Sequence, residues 1–325
     1  MTNISLDERV ICTEPSKCPF GKCIPEKCSN IIAHGWDFEY GTSSQEFAFK
    51  HCKKCGLVYL AELPTASEMN VIYPDNYYSF TESNSEKMLV KLVRDHLERS
   101  KGHVYQTLVK NKNPNVIDIG CGDGRLLDIL KRQCPVSWTY SGIEFGGIAS
   151  ERAKLKGYNV REGDFGELDV VEWNDKFDLA LMHQVIEHTR DPKAILIKSR
   201  GLLKKGGVLS IETPDTNAWD FMLFKNQYWG GYHFPRHFFL FNKKSMAKLA
   251  LETGFEIISC RSILSPVFWI HSIHNKMIDS NRLKRFAHFV KPQNVVLLAI
   301  ATIIDIIQVK IFRKSSNMQF LLRKV

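Results

Sequence analysis

The stretch Val116-Ile117-Asp118-Ile119-Gly120-Cys121-Gly122-Asp123-Gly124 constrains this chain more than any other. A short apolar run stops at three glycines at alternate positions, and a helical pattern, Arg125–Gln133, begins directly after them. Glycines at such a turn let the backbone bend tightly and let a ligand come close to it. A strand, a glycine turn and a helix in that order mark the first unit of an open α/β sheet, whose ligands bind beyond the carboxyl ends of the strands. The spacing is GxGxG, not the GxGxxG of a dinucleotide fingerprint. Asp118 and Asp123 put negative charge in or beside the turn, which suits a cationic or zwitterionic ligand better than a polyphosphate.

The rest of the chain continues the alternation. Strands are expected at 140–143, 159–161, 177–182, 208–213, 255–260 and 319–323, with helices at 148–156, 192–203 and 242–254 between them. A helical insertion at about 266–313 precedes the last strand. Alternating β and α units mean a doubly wound, mainly parallel sheet. Glu144 closes the second strand, where a carboxylate can accept both hydroxyls of a ribose. Asp164 follows the third strand and can accept from an adenine amino group, with Phe165 beside it to stack on the ring.

Those residues together resemble the Rossmann-like S-adenosylmethionine-dependent methyltransferases over residues 113–325. The resemblance rests on Val116–Gly124, Glu144, Gly163-Asp164-Phe165, the run 178–183 and Gly206-Gly207-Val208-Leu209. It implies a seven-stranded sheet of order 3-2-1-4-5-7-6 with strand 7 antiparallel. It also implies that Asp118, Gly120, Cys121, Gly122, Glu144, Asp164, Phe165 and His183 line the site for S-adenosylmethionine. Gln184-Val-Ile-Glu187-His188 and Tyr232-His233-Phe-Pro-Arg236-His237-Phe look like a bacterial branch linked to surface-polysaccharide and sugar modification. The resemblance thus implies a sugar nucleotide or glycan as methyl acceptor. A related quinone O-methyltransferase group carries a metal on ExxEH; Gln184 stands at the first of those acids, which argues against a metal there.

If the acceptor is a hydroxyl or the α-carbon of a keto-sugar, a base must take its proton. His188, His233 and His237 are the candidates, because imidazole titrates in the useful range. Arg236, next to His237 and set among aromatics, suits a phosphate or carboxylate on the acceptor. Two other readings compete: an RNA methyltransferase that uses its Cys-rich segment, and a non-catalytic cofactor-binding scaffold docked on a membrane glycan-assembly complex.

Six of the nine cysteines lie in the first 55 residues. An odd count, with no apolar signal segment in Met1–Lys17, argues against a disulfide framework and for a cytoplasmic setting. Cys52-Lys-Lys-Cys55-Gly56 has the form of a metal knuckle. Cys23, Cys28, Cys52 and Cys55 are the expected ligands of one structural Zn²⁺, with Cys18 as the substitute. The organisation expected is a Cys-rich module at 1–62, a linker and helix at 63–112, and the sheet domain at 113–325.

Charge is uneven. Residues 276–325 carry ten Lys/Arg and two acids, so about +8 of the formal +9 lies there. A body close to neutral is not the footprint of a nucleic-acid binder. The apolar run Val295–Ile304 is ten residues, short of the about 20 that a membrane span needs. This basic tail is expected either to meet an anionic bilayer or an acidic partner at the periphery, or to pack its apolar helix on the core or in a homodimer.

Overall fold

The computed structural model describes residues 9–21, 28–74, 77 and 101–325. The chain divides into two compact units that interleave in sequence: one from 1–74, 213–247 and 261–318, the other from 75–212, 248–260 and 319–325. The N-terminal segment therefore shares its unit with the loop 213–247 and the helical insertion, an organisation that the linear order of motifs does not show.

The second unit is built on a seven-stranded mixed sheet of β6 (Asn115–Ile119), β7 (Thr139–Glu144), β8 (Asn159–Glu162), β9 (Phe177–His183), β10 (Leu203–Pro214), β12 (Phe255–Ile263) and β13 (Asn317–Lys324). The order across it is β12-β13-β10-β9-β6-β7-β8. Numbered within the sheet, that is 3-2-1-4-5-7-6, the expected order. The pairs β6·β7, β7·β8, β6·β9 and β9·β10 are parallel. Central strands are apolar almost throughout, as strands covered on both faces must be: in β6 every residue from Val116 to Ile119 is buried.

The helix Arg125–Gln133 lays Leu126 and Leu130 against Val116, Leu179, Leu181 and Val208, which form the core under the turn. The helix Pro192–Leu202 starts where its sequence says it should. Asp191 accepts from the N–H groups of Lys193 and Ala194 at 3.0 and 2.9 Å, and Pro192 occupies the first turn, where its missing N–H costs nothing. The largest difference from the expected strand boundaries is at β10. β10 begins at Leu203, not Val208, and its register against β9 shifts between those two residues around Gly206 at φ +78°. Polar Lys204 and Lys205 hide this start from a pattern reading.

In the first unit β2 (Ser29–Gly35), β3 (Phe47–Cys52), β4 (Val58–Leu60) and β11 (Phe239–Leu240) form an antiparallel sheet of order β11-β4-β3-β2. A two-stranded ribbon of β1 (Thr13–Pro15) and β5 (Glu62–Pro64) accompanies it. The helix Lys243–Glu252 is opened by a reciprocal cap: Ser245 N–H donates to Asn242 Oδ1 at 2.8 Å, and Asn242 N–H donates to Ser245 Oγ at 2.9 Å. The insertion consists of the helices Pro266–Ile278 and Val295–Phe312. The second runs on through Asp305 for 18 residues; among the described residues it is the one helix long and apolar enough to cross a membrane by length and composition alone. Within the linker and helix expected at 63–112, residues 101–108 are helical.

Candidate functional site

In the sheet unit the glycine turn folds back under the end of β7. The N–H groups of Gly120 and Cys121 both donate to the carbonyl of Ile143, at 2.8 and 3.0 Å. Gly120 sits at φ +77°, and a Cβ there would lie 2.4 Å from Val185 Cγ2. Gly122, at φ +55°, has open space above it instead. The two glycines thus do different work: Gly120 admits a neighbouring loop, and Gly122 keeps the top of the turn clear.

Glu144 closes β7 beside that clear space. Its Oε2 accepts from Gly122 N–H at 2.7 Å and its Oε1 from Phe145 N–H at 3.0 Å. Burial raises its pKa, and those two N–H groups only partly hold it back. Asp118 is buried, and its carboxyl is pushed well above the usual range by that burial and then by Glu144 and Glu212, against Lys101 and Arg125. Lys156 pairs with Asp123 of the turn, while burial makes the charges of Asp118 and Glu144 costly, an environment that favours a positively charged ligand beside those two acids. Cys121 is a packing residue: its thiol lies under Gly142, where a Cβ would come within 2.5 Å of it, and burial followed by Asp118 and Glu144 pushes its pKa up.

His183 ends β9 in a network that the sequence reading did not foresee. Its Nε2 lies 3.3 Å from Tyr105 Oη and 3.2 Å from Ser210 Oγ, and its Nδ1 lies 3.4 Å from Glu212 Oε2. Lys101 Nζ is 3.1 Å from the same Glu212 oxygen, and Gln319 Nε2 donates to the other at 2.9 Å. The β9·β10 register sets Glu212 directly against His183. Period-two alternation from Ser210 to Glu212 was the available signal, but it names no partner.

Asp164 is exposed, and its Oδ1 accepts Gly166 N–H at 2.7 Å. Phe165 is buried, with Lys198 Nζ 5.2 Å above its ring. Glu187 is buried and His188 half-buried in the 3₁₀ turn Ile186–His188.

The other unit holds the remaining candidates. Arg236 is fully buried, and this corrects its reading as an acceptor-binding cation. Its guanidinium makes a two-pronged pair with Asp37, at 3.0 and 2.7 Å, and donates through Nε to the carbonyl of Ile72 and through Nη1 to that of Phe234. A planar fork engaged on that many acceptors holds its unit together and offers nothing to a passing anion. Asp37 also accepts from the backbone N–H groups of Tyr40 and Thr42, so the pair organises the loop after β2.

His233 fares differently. It sits at φ +44°, and its Nδ1 lies 2.9 Å from Glu39 Oε1. Burial alone would raise the Glu39 pKa; His233 and then His271 outweigh it and hold it down to about 2. His237 lies 4.9 Å from His233 ring to ring, and its Nδ1 is 2.8 Å from the carbonyl of Gly231. A carbonyl only accepts, so that nitrogen carries the proton in neutral His237.

Three thiols converge in the same unit. The sulfurs of Cys18, Cys52 and Cys55, all buried, lie within 4.8 Å of one another, with Cys18 and Cys55 at 3.5 Å. The hydrogen bond between Cys18 and Cys55, then burial, push the Cys18 thiol up. Cys18, the substitute in the expected ligand set, joins Cys52 and Cys55. Cys28 is buried but is not part of this group, and Cys23 lies outside the described residues. Gly56 at φ +75° turns the knuckle so that its N–H reaches the carbonyl of Cys52 at 2.8 Å. A compact set of buried soft donors fits a Zn²⁺ site.

Comparison with known proteins gives a consistent result. The methyltransferase domain family matches residues 93–260. A ubiquinone biosynthesis O-methyltransferase from Dinoroseobacter shibae is 28% identical over 137 residues, which is 40% of this chain and 54% of that protein. The mitochondrial protein of the same name from Candida albicans is 24% identical over 152 residues, 44% of this chain and 46% of that one. The chain spans about half the length of the curated relatives it matches. Among solved structures, an S-adenosylmethionine-dependent methyltransferase from Archaeoglobus fulgidus aligns over 71% of this chain and 94% of its own, with a TM-score of 0.46 and 16% identity.

Proposed function

Because this chain belongs to the methyltransferase domain family, we propose that it transfers a methyl group from S-adenosylmethionine to a small-molecule or glycan acceptor. The observation that carries this reading is the placing of Glu144, a buried carboxylate beside the open glycine Gly122 and near a second buried acid, Asp118. S-adenosylmethionine, when bound, supplies an electrophilic methyl carbon on a sulfonium. The residues that fit it are Glu144 for the ribose hydroxyls, Gly120 to Gly122 for close backbone approach, Asp118 for the positive charge, and Asp164 with Phe165 for the base. His183, fixed by Tyr105, Ser210 and Glu212, borders the same strand ends.

Methyl transfer needs little from the protein beyond in-line positioning, unless the acceptor must lose a proton. His233 is the better equipped base. Glu39 holds its Nδ1, so in the neutral ring the proton sits there and Nε2 carries the lone pair. Whichever base serves, it would take the acceptor's proton as the acceptor's bond to the methyl group forms and the methyl–sulfonium bond breaks. The name of the curated relatives, which describes oxygen methylation in them, supports an oxygen acceptor. The resemblance of the 184–188 and 232–238 segments supports a sugar nucleotide or surface-polysaccharide sugar. Cys18, Cys52 and Cys55 would hold a structural Zn²⁺ that braces β3 and β4 and takes no part in the reaction.

The test is methyl-labelled S-adenosylmethionine incubated with sugar nucleotides, glycans, quinol-type phenols and RNA. Label on a sugar supports the full reading. Label on a phenol keeps methyl transfer and overturns the sugar. Label on RNA overturns the acceptor class, and no binding of S-adenosylmethionine overturns the reading entirely.

A further inference from the structure

The helix Val295–Phe312 is polar where it is buried and apolar where it is exposed. Its buried residues are Ala301, Asp305 and Gln308, one face by their spacing of four and three. Asp305 accepts from Ser265 N–H at 2.5 Å, from the Ser315 hydroxyl at 3.0 Å and from Gln308 Nε2 at 3.1 Å. Gln308 Oε1 accepts from Trp219 N–H at 2.9 Å. These polar side chains clamp the helix to its own unit.

A separate face carries Val296, Ile300, Ile303, Ile304, Ile307 and Ile311, all exposed. At about 100° per residue they fall within an arc of about 100°, and at about 1.5 Å per residue the stripe runs about 22 Å. A helix on a water-facing surface shows the reverse arrangement, with its apolar stripe turned to the core. The neighbouring 3₁₀ segment Lys284–Phe289 adds exposed Phe286 and Phe289.

Charge supplies the second observation. Lys284, Arg285 and Lys291 are exposed just before the helix, and Lys310 and Arg313 at its far end. From 276 to 314 the acids are Asp279 and Asp305. Asp279 accepts the Tyr228 hydroxyl at 2.7 Å, and Asp305 is buried in the clamp. Asp279 is exposed but precedes Lys284, so from Lys284 to Arg313 the chain flanks the apolar stripe with cations and carries no exposed acid.

We propose that this face docks on an anionic phospholipid bilayer, with the helix lying flat at the boundary of headgroups and acyl chains and the cations on the headgroups. It does not cross the bilayer, since crossing would tear Asp305 and Gln308 from their partners. A second copy of the chain is a poorer occupant: a two-fold contact along the stripe sets each patch against itself and brings like cations together. The proposal stands apart from the methyl-transfer reading and does not depend on it.

The experiment is flotation of the full chain with vesicles of phosphatidylcholine alone and of phosphatidylcholine mixed with phosphatidylserine. The chain is expected to float with the anionic vesicles at low salt and to stay behind with the neutral ones. Raising salt from about 0.1 M to about 1 M cuts the Debye length from about 10 Å to about 3 Å, so binding should fall with it. Each exposed isoleucine taken out of water is worth about tenfold in partitioning, so Ile303→Asp with Ile307→Asp should lower binding by about a hundredfold or more. Lys284→Glu with Arg285→Glu should lower it by at least about tenfold at low salt. Both variants alter exposed side chains and should keep the parental unfolding midpoint. The proposal is overturned if the parent stays off anionic vesicles at low salt or binds neutral ones equally well. It is also overturned if the isoleucine variant floats like the parent, or if that variant turns a dimer into a monomer in sedimentation while the parent does not float.

Discussion

Glu144→Ala is the sharpest test of the cofactor site. A carboxylate offers about four lone-pair positions. Two are taken here by the N–H groups of Gly122 and Phe145, which leaves two, the number that a ribose diol needs. Hydrogen bonds to a charged group are worth about 1.5–3 kcal/mol. Water can partly replace the lost contacts, so the expected net loss is that of about one such bond. This corresponds to S-adenosylmethionine binding about 10- to 150-fold more weakly, measured by titration calorimetry near neutral pH. A second readout moves the other way. Glu144 adds to the charge that burial already makes costly at Asp118, so removing it relieves the cofactor-free protein. Stability to urea without cofactor should stay within about 1 kcal/mol of the parent or rise, the scale for relief at a partly buried acid. Affinity within twofold of the parent would refute the assignment. Loss of affinity and stability together would mean that Glu144 braces the turn and does not read the ligand.

Three further outcomes are expected. Purified protein should contain about one zinc per chain, and Cys18→Ser or Cys52→Ser should release it and destabilise the unit that contains β3 and β4; elemental analysis with a melting curve checks both. Arg236→Met should cost about 3–5 kcal/mol in denaturant unfolding, because it strands the buried Asp37 carboxylate, and Asp37→Asn added to it should recover part of that. The sign with pH follows. In the parent Arg236 outweighs burial and depresses the Asp37 pKa, so its contribution is present above the unfolded value of about 3.9 and is lost as pH falls through the lower folded value. In the variant burial raises Asp37 against only the remaining Thr42 hydrogen bonds, so the penalty grows as pH rises above about 4, and the gap between the two proteins should widen with pH. His233→Ala and Glu39→Gln should each keep S-adenosylmethionine affinity while turnover drops about 10²- to 10⁴-fold, and equal loss of both would assign the pair a structural role.

What was legible in the sequence was local. The glycine turn and the alternation of strands and helices each lie within a few residues and together predict a doubly wound sheet, while the observed strand order is the one that the resemblance to the methyltransferases implies. What was not legible depended on partners distant in the chain. Arg236 between aromatic residues has the look of an anion hook, but its partner Asp37 lies 199 residues away. The spacing of the cysteines does not choose between Cys18 and Cys28, since the choice depends on which thiol the fold brings beside Cys52 and Cys55. Glu212 looks like an isolated acid in Ser-Ile-Glu-Thr-Pro until the β9·β10 register sets it against His183.

Asp305 carries the same lesson furthest. Along the sequence it interrupts an apolar run and divides it into pieces too short to read as one membrane-seeking surface. In the fold the carboxylate turns inward, where Ser265, Ser315 and Gln308 satisfy it, and the helix continues past it without a break. A buried acid is costly unless it is hydrogen-bonded, so satisfying Asp305 fixes which way the whole helix faces. Once that face is fixed, the isoleucines at 300, 303, 304, 307 and 311 have nowhere to go but outward. One buried carboxylate thereby turns a hydrophobic pattern that would ordinarily form core into an exposed apolar surface bordered by cations.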